Sequence, residues 1–201
     1  KTTGAGRTDT GVHAKKMFAH FDFDGEISEK LVHQLNSFLP PSIAVKKVFE
    51  VKEDFHARFS AKYRTYEYYI SLEKNPFSEK FAWQHWRKTL DVEKMNEACK
   101  ILFEYEDFGS FAKVGADNKT NICKIYHANW EQNGNELKFT ISADRFLRNM
   151  VRAIVGTMVE IGSGKLKPAD LRNVIEAKNR GVAGTSAPAH ALFLVDVGYD
   201  F

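Results

Sequence analysis

Apolar and polar positions alternate most clearly over Lys62–Ser71. Tyr66, Tyr68 and Ile70 fall on one face there, and Tyr63, Thr65 and Tyr69 on the other, which predicts a strand. A looser alternation around Phe18, His20, Phe21 and Phe23 predicts a strand over Val12–Phe23, ended by Asp24-Gly25. Ile43–Val51 alternates imperfectly through Val45, Val48 and Phe49 and reads as another strand. Asn121–Trp130 and Glu136–Ser142 flank Asn133-Gly134, the strongest short-range hairpin signal in the chain. The dense apolar run Ala191–Tyr199 predicts a central strand.

Helical periodicity marks four other stretches. Ser28 is a suitable N-cap for a helix with Leu31, Val32 and Leu35 on one face, stopped by Pro40-Pro41. Asp91 can cap a helix whose stripe is Met95, Ala98, Ile101 and Leu102. Phe146–Ile161 reads as a largely apolar helix ending at Gly162. Pro168 starts a shorter one that runs to about Ala177. Strands and helices mix without strict βαβ alternation, so the fold class expected is α+β, with helices on one face of the sheets. A boundary near Ser60 divides the chain into residues 1–60 and 61–201.

Composition narrows this little. The 201 residues suffice for one large domain or two small ones. No apolar run is long enough to span a bilayer, nothing resembles a signal peptide, and two cysteines form no framework, so a cytoplasmic setting is expected. A net charge of +3 permits a polyanionic partner without demanding one. The sequence opens on Lys1, without an initiator Met, directly into a loop dense in reactive groups. That leads one to expect a preceding segment.

This loop, Gly4-Ala5-Gly6-Arg7-Thr8-Asp9-Thr10-Gly11-Val12-His13-Ala14, is the first candidate for chemistry. Its glycines allow positive φ and close approach of a ligand. Asp9 lies between two hydroxyls that can hold it, and Arg7 would favour its charged form. Loop composition alone fits better a turn in which Asp9 merely bonds the backbone. A second candidate is Lys62-Tyr63-Arg64-Thr65-Tyr66, where cations alternate with aromatics as on a nucleic-acid-binding strand, or simply line a core. The third is Arg145, Arg148 and Arg152, spaced to share one face of an otherwise apolar helix. A buried arginine needs an anion, and Asp9 is available.

Other site chemistries fail on spacing. The dinucleotide fingerprint is broken at Asp9, and the Walker loop lacks its first glycine at Val159 and its hydroxyl at Leu166. The seven histidines show no metal spacing, and Asp22-Phe23-Asp24-Gly25 leads to Ile27 where a calcium loop needs glycine. No Ser/His/Asp or Cys/His nucleophile signature is present.

Four stretches carry a resemblance, in order along the chain: Gly6–Ala14, Ala61–Tyr68, Phe146–Arg152 and Ser186–Ala189. Together they resemble the tRNA pseudouridine synthase A family, the tRNA pseudouridine(38–40) synthases. The sequence departs from the pattern at Ser186, usually Thr, and at Ala191, commonly Gly. The resemblance implies two similar domains with mainly antiparallel joined sheets, helices on one face and an active cleft between them. It also implies that a strand, a Tyr-Asp-Gly turn and a helix precede the first loop. The implied activity is isomerisation of uridine to pseudouridine in the tRNA anticodon stem-loop, with no cofactor or metal, by a homodimer. Position by position, Asp9 matches the catalytic aspartate, acting as nucleophile or base. Tyr66 matches the tyrosine that stacks on the target uracil, and Arg152 the arginine paired with the carboxylate. Arg7 matches a loop arginine that contacts RNA. Arg58, Lys62, Arg64 and Arg148, with Lys15 and Lys16, are candidates for phosphate contacts. The competing readings are an RNA-binding module without catalysis, which would not need Asp9, and a carboxylate-dependent hydrolase, which would want a second carboxylate or a base.

Overall fold

A computed structural model describes residues 1–86, 89–116 and 118–201. The main sheet grows from the predicted hairpin. Gly134 takes the positive φ of 57° that the turn requires. The turn joins β6 (Ile125–Asn133) to β7 (Glu136–Ala143), so the first strand starts four residues later than the sequence suggests. Along β7 every second residue, Leu137, Phe139, Ile141 and Ala143, is buried. That period-two pattern commits one face of the sheet to the core.

β4 (Tyr63–Ser71) pairs antiparallel with β7 on one side and with β8 (Leu192–Gly198) on the other. β8 in turn pairs in parallel with β2 (His13–Ala14), giving the order β2-β8-β4-β7-β6, with β5 (Trp83–Gln84) added in parallel at the end of β4. A separate two-stranded sheet joins β1 (Thr3–Gly4) to β3 (Ala19–His20).

Three helices supply the core above the sheet. α2 (Val92–Leu102) starts where expected, with the Asp91 carboxylate accepting from Lys94 N at 3.0 Å. α3 (Met150–Gly162) buries every residue except Arg152 and Glu160. α4 (Asp170–Glu176) follows Pro168. Met95, Leu102, Met150, Ile154, Met158 and Leu171 join Tyr68, Ile70, Phe139 and Ile141 in one cluster. The mixed architecture is α+β, and among the described residues no helix is long and apolar enough to cross a membrane.

Four expected elements come out differently. The stretch Val12–Phe23 splits into β2 and β3, which belong to different sheets. Lys15 N still bonds Leu194 O at 2.8 Å, after which the chain crosses over to pair with β1. Ile43–Val51 forms no strand. Its Val45 backbone bonds instead the Asn36 side-chain amide, at 2.7 and 2.8 Å, so one amide stands in for a ladder partner. α1 (Leu31–Phe38) begins after a turn in which Ser28 O accepts from Leu31 N, so Ser28 does not cap it. α3 begins at Met150 and not Phe146, because Asn149 sits in the left-handed region at φ 68°. Arg145 and Arg148 therefore precede the helix and do not share a helical face with Arg152.

Candidate active site around Asp9

The loop of residues 5–12 is anchored at both ends. Ala5, nearly fully buried, donates its N–H to Phe18 O at 2.8 Å and packs on Leu194 and Val197 of β8. At the other end β2 aligns His13 with Phe193 and Ala14 with Leu194. Between them Val12 N bonds Asp9 O at 3.1 Å, closing a turn. Gly11, at φ 88°, lies against Ala189 and His190, so a side chain there would be strained.

This turn points Asp9 at the start of α3. Arg152 Nη1 donates to Asp9 Oδ2 at 2.9 Å, and Arg148 Nε reaches Asp9 Oδ1 at 3.4 Å. Each carboxylate oxygen thus faces a different cation. The expected hydroxyls of Thr8 and Thr10 are exposed, and Arg7, also exposed, has no ion pair among the described residues. The charge partners of Asp9 come from the far end of the chain and not from its own loop.

Arg152 is itself aimed. Its Nε donates to Ala187 O at 2.7 Å, and Ala187 N returns a bond to Arg152 O at 3.0 Å. The segment carrying Ala187 lies flat on α3 because both contact points are glycines. A Cβ on Gly156 would sit 1.8 Å from Thr185 O, and one on Gly184 2.7 Å from Thr157 N. Thr157 Oγ1 also accepts from Gly184 N at 2.9 Å, and Tyr68 donates its hydroxyl to Pro188 O at 2.9 Å.

Tyr66 lies on the core-side face of β4, where the pairing with β8 slips by one residue between Thr65 and Tyr66. Its ring is partly buried and stands edge-on to Phe146, with centroids 5.2 Å apart. Burial pushes the phenol above its usual range; Arg64 opposes this and the nearby charge of Asp9 adds to it. Tyr66 therefore stays a neutral phenol at physiological pH, an aromatic surface and not a base.

The remaining cations are placed differently. Arg64 turns inward, donating to Ala5 O (3.0 Å), Arg58 O (2.5 Å) and Asp144 O (3.1 Å). It braces the Asp9 loop from below, and burial lowers its pKa. Lys15 pairs with Glu67, Lys16 with Asp196 and Lys62 with Asp200. Arg58 is exposed and lies over the Phe59 ring. Asp9, Tyr66, Arg148 and Arg152 are thus gathered, while Arg7, Arg58 and Lys62 lie at the surface. Ala187, Asn149 and Phe146 complete the site and were not singled out individually. Chemically, the arrangement offers a carboxylate fixed by two cations, next to an aromatic ring on which a planar base could lie.

The family model described as tRNA pseudouridine synthase matches residues 98–200. The chain is 56% identical to the tRNA pseudouridine synthase A of Parabacteroides distasonis over 198 residues, covering 98% of this chain and 78% of that protein. It is 56% identical to that of Bacteroides fragilis over 199 residues (98% and 79%). With that of Bacillus subtilis it shares 40% over 199 residues (98% and 80%). The family model reaches α3 but begins after the Asp9 loop, whereas the relatives match nearly the whole chain, and the chain belongs to the tRNA pseudouridine synthase family.

Proposed function

We propose that this chain isomerises uridine to pseudouridine in the anticodon stem-loop of tRNA, at positions 38–40, with Asp9 as its catalytic group. The observation that carries the reading is the Asp9 carboxylate, shared between Arg152 and Arg148. In the reaction the N–C glycosidic bond breaks, the uracil turns, and a C–C bond forms to the same sugar. C5 gives up its proton to water and N1 gains one, so the composition is unchanged and the reaction consumes no redox partner and no group donor.

The target base must leave its stack, at a cost of a few kcal/mol. Stacking on Tyr66 returns ~1–3 kcal/mol. Asp9 then acts as nucleophile or base, its charge held by Arg152 and Arg148. The cleft that receives the base lies between the part carrying the loop, residues 1–60, and the part carrying β4 and α3, residues 61–201. Arg7, Arg58, Lys62 and Arg148 offer contacts to the RNA backbone, which would position the stem-loop without reading its sequence. Arg64 belongs to that group by charge, but its hydrogen bonds to three backbone carbonyls favour a bracing role. The enzyme works in the cytoplasm as a homodimer.

Tritium at uracil C5 of the tRNA tests the reading, because forming the C–C bond at C5 releases it to water. Wild type should release label and Asp9→Ala should not, while Asp9→Ala still retains tRNA in a filter-binding assay. No release by wild type would refute the enzyme reading. Release undiminished in Asp9→Ala would refute the assignment of Asp9 and leave a binding role.

A further inference from the structure

Ser186 lies outside the Asp9 clamp, yet its hydroxyl ties together the two segments that form it. Ser186 Oγ accepts from Asn149 Nδ2 and from Arg180 Nη2, each at 2.7 Å. Asn149 is the residue between Arg148 and the first residue of α3, and it holds the left-handed turn there. Its own carbonyl accepts from Ala153 N at 3.0 Å, the first helical bond of α3. On the other side of Ser186, Ala187 makes the paired bonds to Arg152 described above. Ser186 thus joins the turn that aims Arg148 to the strap that aims Arg152. Arg180 also donates to Ala183 O at 3.2 Å, which fixes the strap from its other end.

We infer that Ser186 and Asn149 are positioning residues for the reaction, holding Arg148 and Arg152 on the two oxygens of one carboxylate. This rests on the role proposed for Asp9. Two charged or amide donors converge on one hydroxyl oxygen and occupy its acceptor sites, so the bond is specific for an oxygen at this point. A left-handed asparagine without its side-chain anchor can relax to ordinary φ, and that would swing Arg148 away. Both residues are half-buried, and displacing Arg148 removes only one of the four proposed backbone contacts, so turnover falls much further than affinity.

The test uses single-turnover label release and tRNA affinity in parallel. Ser186→Ala should lower the rate of release by about tenfold to a hundredfold, while the Kd for tRNA stays within about twofold. Asn149→Gly keeps access to positive φ but loses the amide, and should slow release by about fivefold, less than Ser186→Ala, which also frees Arg180. The double variant should be no slower than the slower single one, since both remove the same bond. Ser186→Thr keeps the hydroxyl and should return the rate to within about threefold of wild type. Circular dichroism and thermal melts establish that each variant is folded at the assay temperature. Wild-type release by folded Ser186→Ala, or failure of Ser186→Thr to restore the rate lost in Ser186→Ala, would overturn the inference. Because wild type and Asp9→Ala are run alongside, loss of the Asp9 reading itself would show separately.

Discussion

Arg152 and Arg148 touch the same carboxylate, but they are unequal partners. Arg152 and Asp9 have side chains only 21% and 18% exposed, at 2.9 Å, whereas Arg148 is 59% exposed at 3.4 Å. A hydrogen bond between charged groups shielded from water contributes ~1.5–3 kcal/mol, and an exposed pair ~0–1 kcal/mol. Arg152→Met should therefore lower unfolding free energy by about 2 kcal/mol and slow label release by roughly a hundredfold. Arg148→Met should change stability by less than ~0.5 kcal/mol and the rate by less than about tenfold. Urea titration and single-turnover kinetics on the two variants check both, and equal losses would contradict the ranking. At this scale the sequence is informative where a side chain has distinctive chemistry, as Asp9 does among glycines. It is uninformative where the partner is backbone. Nothing in the letters marks the carbonyl of Ala187 as what orients Arg152. Arg64 among tyrosines reads as a phosphate contact, because a guanidinium facing three carbonyls has the same sequence signature as one facing RNA.

Among the elements, α3 and the strap across it behave as one unit. Gly156 lies inside a helix, where alanine ordinarily gains ~1 kcal/mol over glycine. Here the added methyl would meet Thr185 O, a backbone atom, at 1.8 Å. The strap must lift, and with it the bonds of Ala187 to Arg152. Gly156→Ala should thus lose at least about 2 kcal/mol of stability, reversing the sign expected from helix propensity. Chemical denaturation measures it, and a gain in stability would show that the strap is free to move. The start of α2 was legible, because Asp91 caps it and its stripe is buried as the periodicity says. α3 was not, because its apolar run continues back to Phe146 through a turn that only the tertiary contacts of Asn149 impose. Likewise Val12–Phe23 alternates like one strand, but β2 and β3 find partners from different sheets.

The molecule as a whole carries several carboxylates whose ionised form the fold favours. The Gly109 N–H and then Lys178 lower the pKa of Asp107. Burial would raise Asp196 and Glu67, but bonds from Lys16 and Tyr63 to the first, and from Lys15 and Tyr69 to the second, outweigh it and leave both lowered. A depressed folded-state pKa contributes stability that is present above the unfolded value of about 4 and is lost as pH falls through the folded value. The urea midpoint should therefore stay level from about pH 6 to 5 and drop below about pH 4. A series of urea melts across that range checks this, and a midpoint rising toward pH 3 would contradict it. The α+β class was legible from the hairpin and the helix stripes. The sheet order was not, since hydrophobic alternation says that a strand has a buried face but not which strand lies beside it.

The parallel pairing of β2 with β8 has a consequence for how the molecule is made. Lys16 and Asp196, bonded at the end of this pairing, are separated by 180 positions. A ribosome releases the Asp9 loop well before β8, which follows it by some 180 positions. Until residues 192–198 have emerged, the loop has no strand to rest on. Until residue 187 has emerged, Arg152 has no carbonyl to aim it. Contacts this distant also close slowly. A nascent chain therefore exposes the Asp9 carboxylate without the strap and strand that hold its surroundings, and the loop takes its final form only after β8 has emerged.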